Sequence, residues 1–284
     1  MTLREVDVTL IRDEVERLFL DANYVAGEDV REAFAVASQR EVSPLGKRVL
    51  IQLIDNMSIA ANERVPMCQD TGTAVVFLEI GQDVHLTGGA LRDAVNEGVR
   101  RAYTGGYLRP SIVARPIGER VNTRDNTPAI LHIDIVDGDA IQLSLLAKGG
   151  GAENMSQLQM LTPSGGRDGV VRFVVETVER AGPNACPPLI VGVGIGGTFD
   201  SVGSLAKHTL TRAVGSVHSD PEVVDLECEL MGKINALGIG PHGFGGRTTA
   251  LAVHVEIAPT HIASLPVAVN LQCGPAARLR RTQI

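Results

Sequence analysis

The residues best suited to chemistry lie in the stretch Val65-Pro-Met-Cys68-Gln69-Asp70-Thr71-Gly72. A thiol, an amide, a carboxylate and a hydroxyl follow one another between a helical pattern and an apolar run, Ala74 to Leu78, that reads as a strand. A loop fixed by a rigid strand is a common place for metal ligands and proton-transfer groups. The plainer reading is a loop of turn formers with Cys68 as a small buried hydrophobe. Cys186 and Cys273 share this context. Each is at the edge of an expected strand, with Pro187-Pro188 after the first and Gly274-Pro275 after the second. Three thiolates suit a soft metal or an iron–sulfur cluster. With three rather than four, one iron of a cubane would stay open to bind a hydroxyl and a carboxylate as a Lewis acid. Zinc on three cysteines competes, but the long separations are unlike compact zinc modules. Cys228 differs, because it sits at helical spacing in Val223 to Met231 and reads as a helix residue without chemistry.

Two glycine clusters also call for a reason. Gly149-Gly150-Gly151 follows an expected strand and Lys148, where backbone N–H groups could hold an anion or simply form a flexible loop. Gly192-Val-Gly-Ile-Gly-Gly197 matches a dinucleotide fingerprint in form, but no second strand ending in an acidic residue follows it. Anion binding at a helix N-terminus asks less of the sequence and is the better reading. His254 alternates with Val253 and Val255 as a sheet-face residue, and His242 in a Gly/Pro-rich loop is either a site residue or a loop hydrogen bonder.

The elements that must position these groups are legible from periodicity. Residues 3 to about 22, 29 to 40, and the segment opened by Ser43-Pro44 and ending near Glu63 read as helices. Further helices are expected from about Gly89 to Ala102, over Val170 to Arg180 with a stop at Gly182-Pro183, and after Asp220-Pro221. Thr127 to Leu146 predicts a hairpin turning at Asp137-Gly138. Leu189–Val193, Leu251–Ile257 and Val267–Leu271 read as strands. The expected fold class is mixed α/β, with a mainly helical stretch over 1–64 and mixed α/β structure over 65–284 in one domain.

The 284 residues are 44% hydrophobic and 21% charged, with 3% aromatic and no Trp, so Val, Ile, Leu and Ala must build the core. The net charge of −7 and the lack of a basic run argue against nucleic acid or an anionic membrane as partner. No apolar run has membrane-spanning length, and the charged start Met-Thr-Leu-Arg-Glu carries no signal-peptide pattern. Four scattered cysteines without that signal argue against a disulfide framework. The expected location is the cytoplasm.

Taken together, Cys68-Gln-Asp-Thr-Gly72, Asn126-Thr-Pro-Ala129, Ala147-Lys-Gly-Gly-Gly151, Ala185-Cys-Pro-Pro188, Leu237-Gly-Ile-Gly240 and Asn270-Leu-Gln-Cys273 resemble the iron–sulfur hydro-lyase family. The similarity is to the α-type chains of two-subunit class I fumarate hydratases and of the related L-tartrate dehydratases, and it covers the chain from the helix before Cys68 onward. The resemblance implies a 4Fe-4S cluster on Cys68, Cys186 and Cys273 with one iron left for substrate. It implies substrate contacts from Gln69, Arg109, Lys148, Gly149, Gly150 and Gly151, with Arg109 clamping a carboxylate of a small dicarboxylate and Asp70 assisting proton transfer. After the last cysteine the family has an aromatic or small polar residue and a compact basic pair, whereas this chain has Gly274-Pro-Ala-Ala-Arg278. Single-chain relatives continue into a second catalytic domain. A chain stopping soon after Cys273 therefore implies a separate β subunit, in an α2β2 hetero-oligomer.

Overall fold

The computed structural model describes residues 3–274 and 279–284; Arg278 lies outside the described residues. In chain order the elements are β1 (Arg4–Asp7), α1 (Val8–Tyr24), α2 (Glu28–Arg40), α3 (Pro44–Glu63), β2 (Thr73–Gly81), β3 (Val84–Thr87), α4 (Leu91–Gly105), β4 (Ile130–Val136), β5 (Ile141–Lys148), α5 (Gly150–Asn154), β6 (Gln157–Leu161), α6 (Gly166–Ala181), β7 (Leu189–Gly197), α7 (Ser201–Thr209), α8 (Pro221–Ala236), β8 (Ala250–Thr260), β9 (Leu265–Cys273) and β10 (Leu279–Gln283). The fold is mixed α/β, as the patterning implies, and among the described residues no helix is long and apolar enough to cross a membrane.

The chain divides into two compact units. The first comprises the described residues of Met1–Ala26, Met57–Gly149 and Arg278–Ile284; the second comprises Gly27–Asn56 and the described residues of Gly150–Ala277. In the first unit a four-stranded sheet runs in the order β10-β5-β2-β4. Its core gathers Ile11, Val15, Leu18 and Phe19 of α1, Val95, Val99 and Tyr103 of α4, and Val76, Leu78, Leu143 and Leu145 of the sheet. In the second unit the order is β6-β9-β7-β8. There Val174 and Val178 of α6 and Leu230 and Ile234 of α8 pack on Val191, Val193, Val255, Val269 and Leu271.

Two expectations are corrected. The helix expected from residue 3 begins only at Val8, because Val6 pairs with Leu86 in a short parallel ladder. Asp7 then caps the helix, its carboxylate accepting from Thr9 N at 2.8 Å. The hairpin over Thr127 to Leu146 is not a paired hairpin. The turn is present, with Gly138 at φ 98°, but β2 lies between β4 and β5, parallel to the first and antiparallel to the second. β2 is apolar on both faces and takes the central position, and the turn passes over its end, where Gly81 N donates to Ala140 O at 2.8 Å. A side chain at Gly81 would collide with the Gly138–Asp139 backbone. Elsewhere the local signals hold. Ser43 Oγ caps α3 by accepting from Gly46 N at 3.1 Å, and Asp220 caps α8 by accepting from Glu222 N at 2.9 Å.

Candidate active site

Cys68 lies on the loop between α3 and β2, half-buried, with its Sγ 3.5 Å from Gln69 Oε1. Asp70 folds its carboxylate back to accept from Gly72 N at 3.0 Å, an Asx turn that shapes the loop. Thr71 Oγ1 forms a two-way bond with Arg109, accepting from its N at 3.0 Å and donating to its O at 3.1 Å. This joins the backbone that carries the exposed Arg109 to the Cys68 loop. The Tyr103 hydroxyl, from α4, is shared between the carbonyls of Thr71 at 2.9 Å and Gly72 at 2.7 Å. Asn126, fully buried at φ 60°, donates to Gly72 O at 3.1 Å and accepts from Ser111 N at 2.7 Å. Gly72 is itself required. At φ 81° it passes so close to Lys148 that a Cβ would meet the lysine carbonyl carbon and oxygen at 2.8 Å. Lys148 is buried, and its Nζ donates to Gly149 O at 3.3 Å. One unit therefore brings Cys68, Gln69, Asp70, Arg109, Lys148 and Gly149 into one neighbourhood of tied backbone.

The second unit holds Cys186 and Cys273. Cys186 is exposed in a left-handed conformation, φ 55°, after the short 3-10 turn Gly182–Ala185. Cys273 ends β9, paired in register with Leu189 at the start of β7, so both thiols belong to the same end of the sheet. The loop between them is anchored by backbone. His242 N donates to Pro187 O and Gly274 N to Pro188 O, each at 2.7 Å. His242 is thus a loop hydrogen bonder through its main chain, and burial holds its imidazole below the ordinary pKa. Gly150 opens α5 and Gly151 is its second residue. Among the described residues, no three His, Cys, Asp or Glu side chains form a metal-ion group, and neither unit alone contains all three of the cysteines singled out. Cys228 is an exposed residue of α8, as its spacing implies.

The 192–197 glycines have a packing role. Gly192 and Gly194 lie inside β7, with α7 pressed against them; a Cβ on Gly194 would come within 2.7 Å of Val202 O and 2.8 Å of Ala206 N. The helix could not approach the strand over larger residues. His254 faces Gly192 across the β7–β8 ladder, buried, with neither ring nitrogen hydrogen-bonded. Burial first, then the nearby Arg212 cation, push its pKa down to about 4, against a smaller opposing pull from Asp29.

The family profile described as Fumarate hydratase (Fumerase) matches residues 12–283. The chain belongs to the fumarate hydratase family. It is 43% identical over 267 residues to the "Putative L(+)-tartrate dehydratase subunit alpha" of Methanocaldococcus jannaschii, covering 93% of this chain and 94% of that one. It is 34% identical over 250 residues to the L(+)-tartrate dehydratase subunit alpha of Escherichia coli strain K12 and to that of Shigella sonnei, covering 87% of this chain and 82% of each.

For a chain of this hydro-lyase family, the first unit offers a cation, Arg109, and a carboxylate, Asp70, on mutually tied segments, a combination able to hold an anionic substrate and move a proton. Of the residues that tie them, Thr71 stands in the recognisable Cys68–Gly72 stretch, whereas Tyr103 carries no pattern of its own in the sequence. Asn126 sits in a recognisable motif, but nothing local reveals that it braces Gly72 from 54 residues away.

Proposed function

We propose that the chain is the α subunit of an iron–sulfur hydro-lyase that reversibly hydrates fumarate to (S)-malate. The observation that carries this reading is the family match over 12–283, which spans Cys68, Cys186 and Cys273 together with Gln69, Asp70 and Arg109. The donor set fits a 4Fe-4S cluster: three thiols on loop or strand-end positions, none in a disulfide and none fully buried. Cys68, Cys186 and Cys273 would hold it. When bound, such a cluster supplies an open iron acting as a Lewis acid toward the substrate hydroxyl.

The chain's own residues do the rest of what it contributes. The Arg109 guanidinium pairs with a substrate carboxylate and fixes its direction, and the Thr71 bonds keep that arginine's backbone from drifting. Asp70, its backbone turned by the Gly72 bond, exchanges the proton at the alkene carbon. The Gln69 amide adds a hydrogen bond to substrate. Lys148 and the run Gly149–Gly151 line the substrate's path, the glycines by letting backbone N–H groups approach closely. A separate β subunit supplies the remaining acid–base partner, in a cytoplasmic α2β2 assembly, and the α chain functions as one catalytic domain. The named relatives support this division, since each is called a subunit alpha.

The same names favour a second reading within the class, dehydration of L-tartrate to oxaloacetate. The test is anaerobic reconstitution of the chain with its β subunit, followed by parallel assays of fumarate loss and of oxaloacetate formation from L-tartrate. Fumarate turnover supports the first reading. Tartrate turnover alone replaces it with the second, and a fully loaded cluster with neither activity rejects both.

A further inference from the structure

The helix α5 is only five residues long, Gly150–Asn154, too short to be stable by itself. What holds it is a set of bonds to α7 and to β9, which carries Cys273, together with close packing against the turn before Cys186. Glu153 makes two of them. Its Oε1 pairs with Lys207 of α7 at 2.5 Å, and its Oε2 accepts from Asn270 Nδ2 at 3.0 Å. Lys207 is largely buried, with 13% of its side chain exposed, and Asn270 is buried three residues before Cys273. Just after the helix, Ser156 Oγ accepts from Leu271 N at 3.0 Å and donates to Ala152 O at 3.1 Å. On the other side, a Cβ placed on Gly151 would stand 3.4 Å from Asn184 O, two residues before Cys186. The Cys186 backbone is held in turn by its N–H on Pro183 O at 3.0 Å.

We propose that α5 is the positioning element for Cys186 and Cys273, with Glu153 and Ser156 as its positioning residues. The proposal rests on the reading that these thiols are ligands. Glu153 couples α7 to β9 through one carboxylate, and Ser156 fastens the next residue of β9 to the end of α5. Together they fix the strand that delivers Cys273, while the other flank of α5 packs on the turn that delivers Cys186. Groups that orient metal ligands from outside the coordination shell commonly change metal affinity by about 10- to 100-fold when removed. Because Lys207 is largely buried, loss of the Glu153 charge also leaves a cation without its partner.

The experiment uses the metal-free chain and Co²⁺ as probe, read by the thiolate-to-cobalt charge-transfer absorbance, with circular dichroism to report folding. Wild type is compared with Glu153→Gln and Ser156→Ala; the milder serine variant decides if the glutamate variant does not fold. The expected result is folded variants that bind Co²⁺ roughly 10-fold or more weakly. After one-electron reduction with dithionite, the reconstituted cluster should also give an altered electron paramagnetic resonance signal, which a purely structural defect would not produce in protein that stays folded. Folded variants that bind Co²⁺ as tightly as wild type overturn the proposal. A wild-type chain with no thiolate–cobalt band removes the ligand reading itself, and the positioning role falls with it.

Discussion

In the first unit, the Asp70 carboxylate turns the Cys68 loop locally, and the ties that reach it from a distance are neutral: Thr71 to Arg109, Tyr103 to Thr71 and Gly72, Asn126 to Gly72. In the second unit, Cys186 and Cys273 owe their place to sheet register and backbone bonds, and the surrounding supports are charged. Glu153 pairs with Lys207, and Arg212 pairs with Glu227 at 2.5 Å. Glu41 accepts from the backbone N–H groups of Val42, Ser43, Arg247 and Thr248. Its burial alone would raise its pKa, but the bonds from Ser43, Arg247 and Thr248 hold it below the ordinary value. The contrast teaches that the long-range ties of the Cys68 loop are neutral, whereas titratable groups surround the sheet that places Cys186 and Cys273, so acid should act on the two units unequally.

The largest expected effect follows from His254. Its folded pKa of about 4 lies below the ordinary 6.5, so the unfolded chain binds the extra proton in that window. The stability concerned is fully present above pH 6.5 and is lost as pH falls toward 4, by about 3 kcal/mol at about 1.4 kcal/mol per pH unit. Glu41, with its depressed pKa, extends the loss below pH 4.5. Amide hydrogen exchange at pH 7 and pH 5 should show protection falling first in β7–β9, with β2 and β5 little changed. His254→Leu should flatten the difference, and equal loss in both units would break the comparison.

A smaller effect tests the neutral side. Asn126→Ala leaves Ser111 N without its acceptor and removes one donor from Gly72 O, at a cost of about 2 kcal/mol in a urea melt. The cost should be nearly the same at pH 5 and pH 7, because no titratable group is involved. The smallest effect is at Cys228→Ser, an exposed helix position, which should stay within about 0.5 kcal/mol of wild type.

Local chemistry made much of this fold legible. Caps at Ser43 and Asp220 and the apolar faces of α2, α3, α4, α6 and α8 follow from side chains within a few residues of one another. The failures are nonlocal. Asp137-Gly138 is a real turn, yet whether two flanking strands pair depends on β2, more than fifty residues earlier, whose two apolar faces claim the centre. Gly192 and Gly194 look alike whether a phosphate or a helix fills the space in front of them, and only α7 decides it. In the candidate site, thiols, amide, carboxylate and arginine stand out by residue type. The bond from Glu41 to Arg247, 206 residues apart, leaves no periodic trace, and neither does that from Glu153 to Asn270.

The central claim of the proposal is that Cys68, Cys186 and Cys273 are the ligands of one cluster. The most direct measurement is iron and acid-labile sulfide content, with the visible absorbance spectrum, after anaerobic reconstitution of wild type, Cys68→Ser, Cys186→Ser, Cys273→Ser and Cys228→Ser. The account predicts about four irons and four sulfides in wild type and Cys228→Ser, and loss of the cluster in each of the other three. A Cys68→Ser chain that retains a full cluster would contradict it.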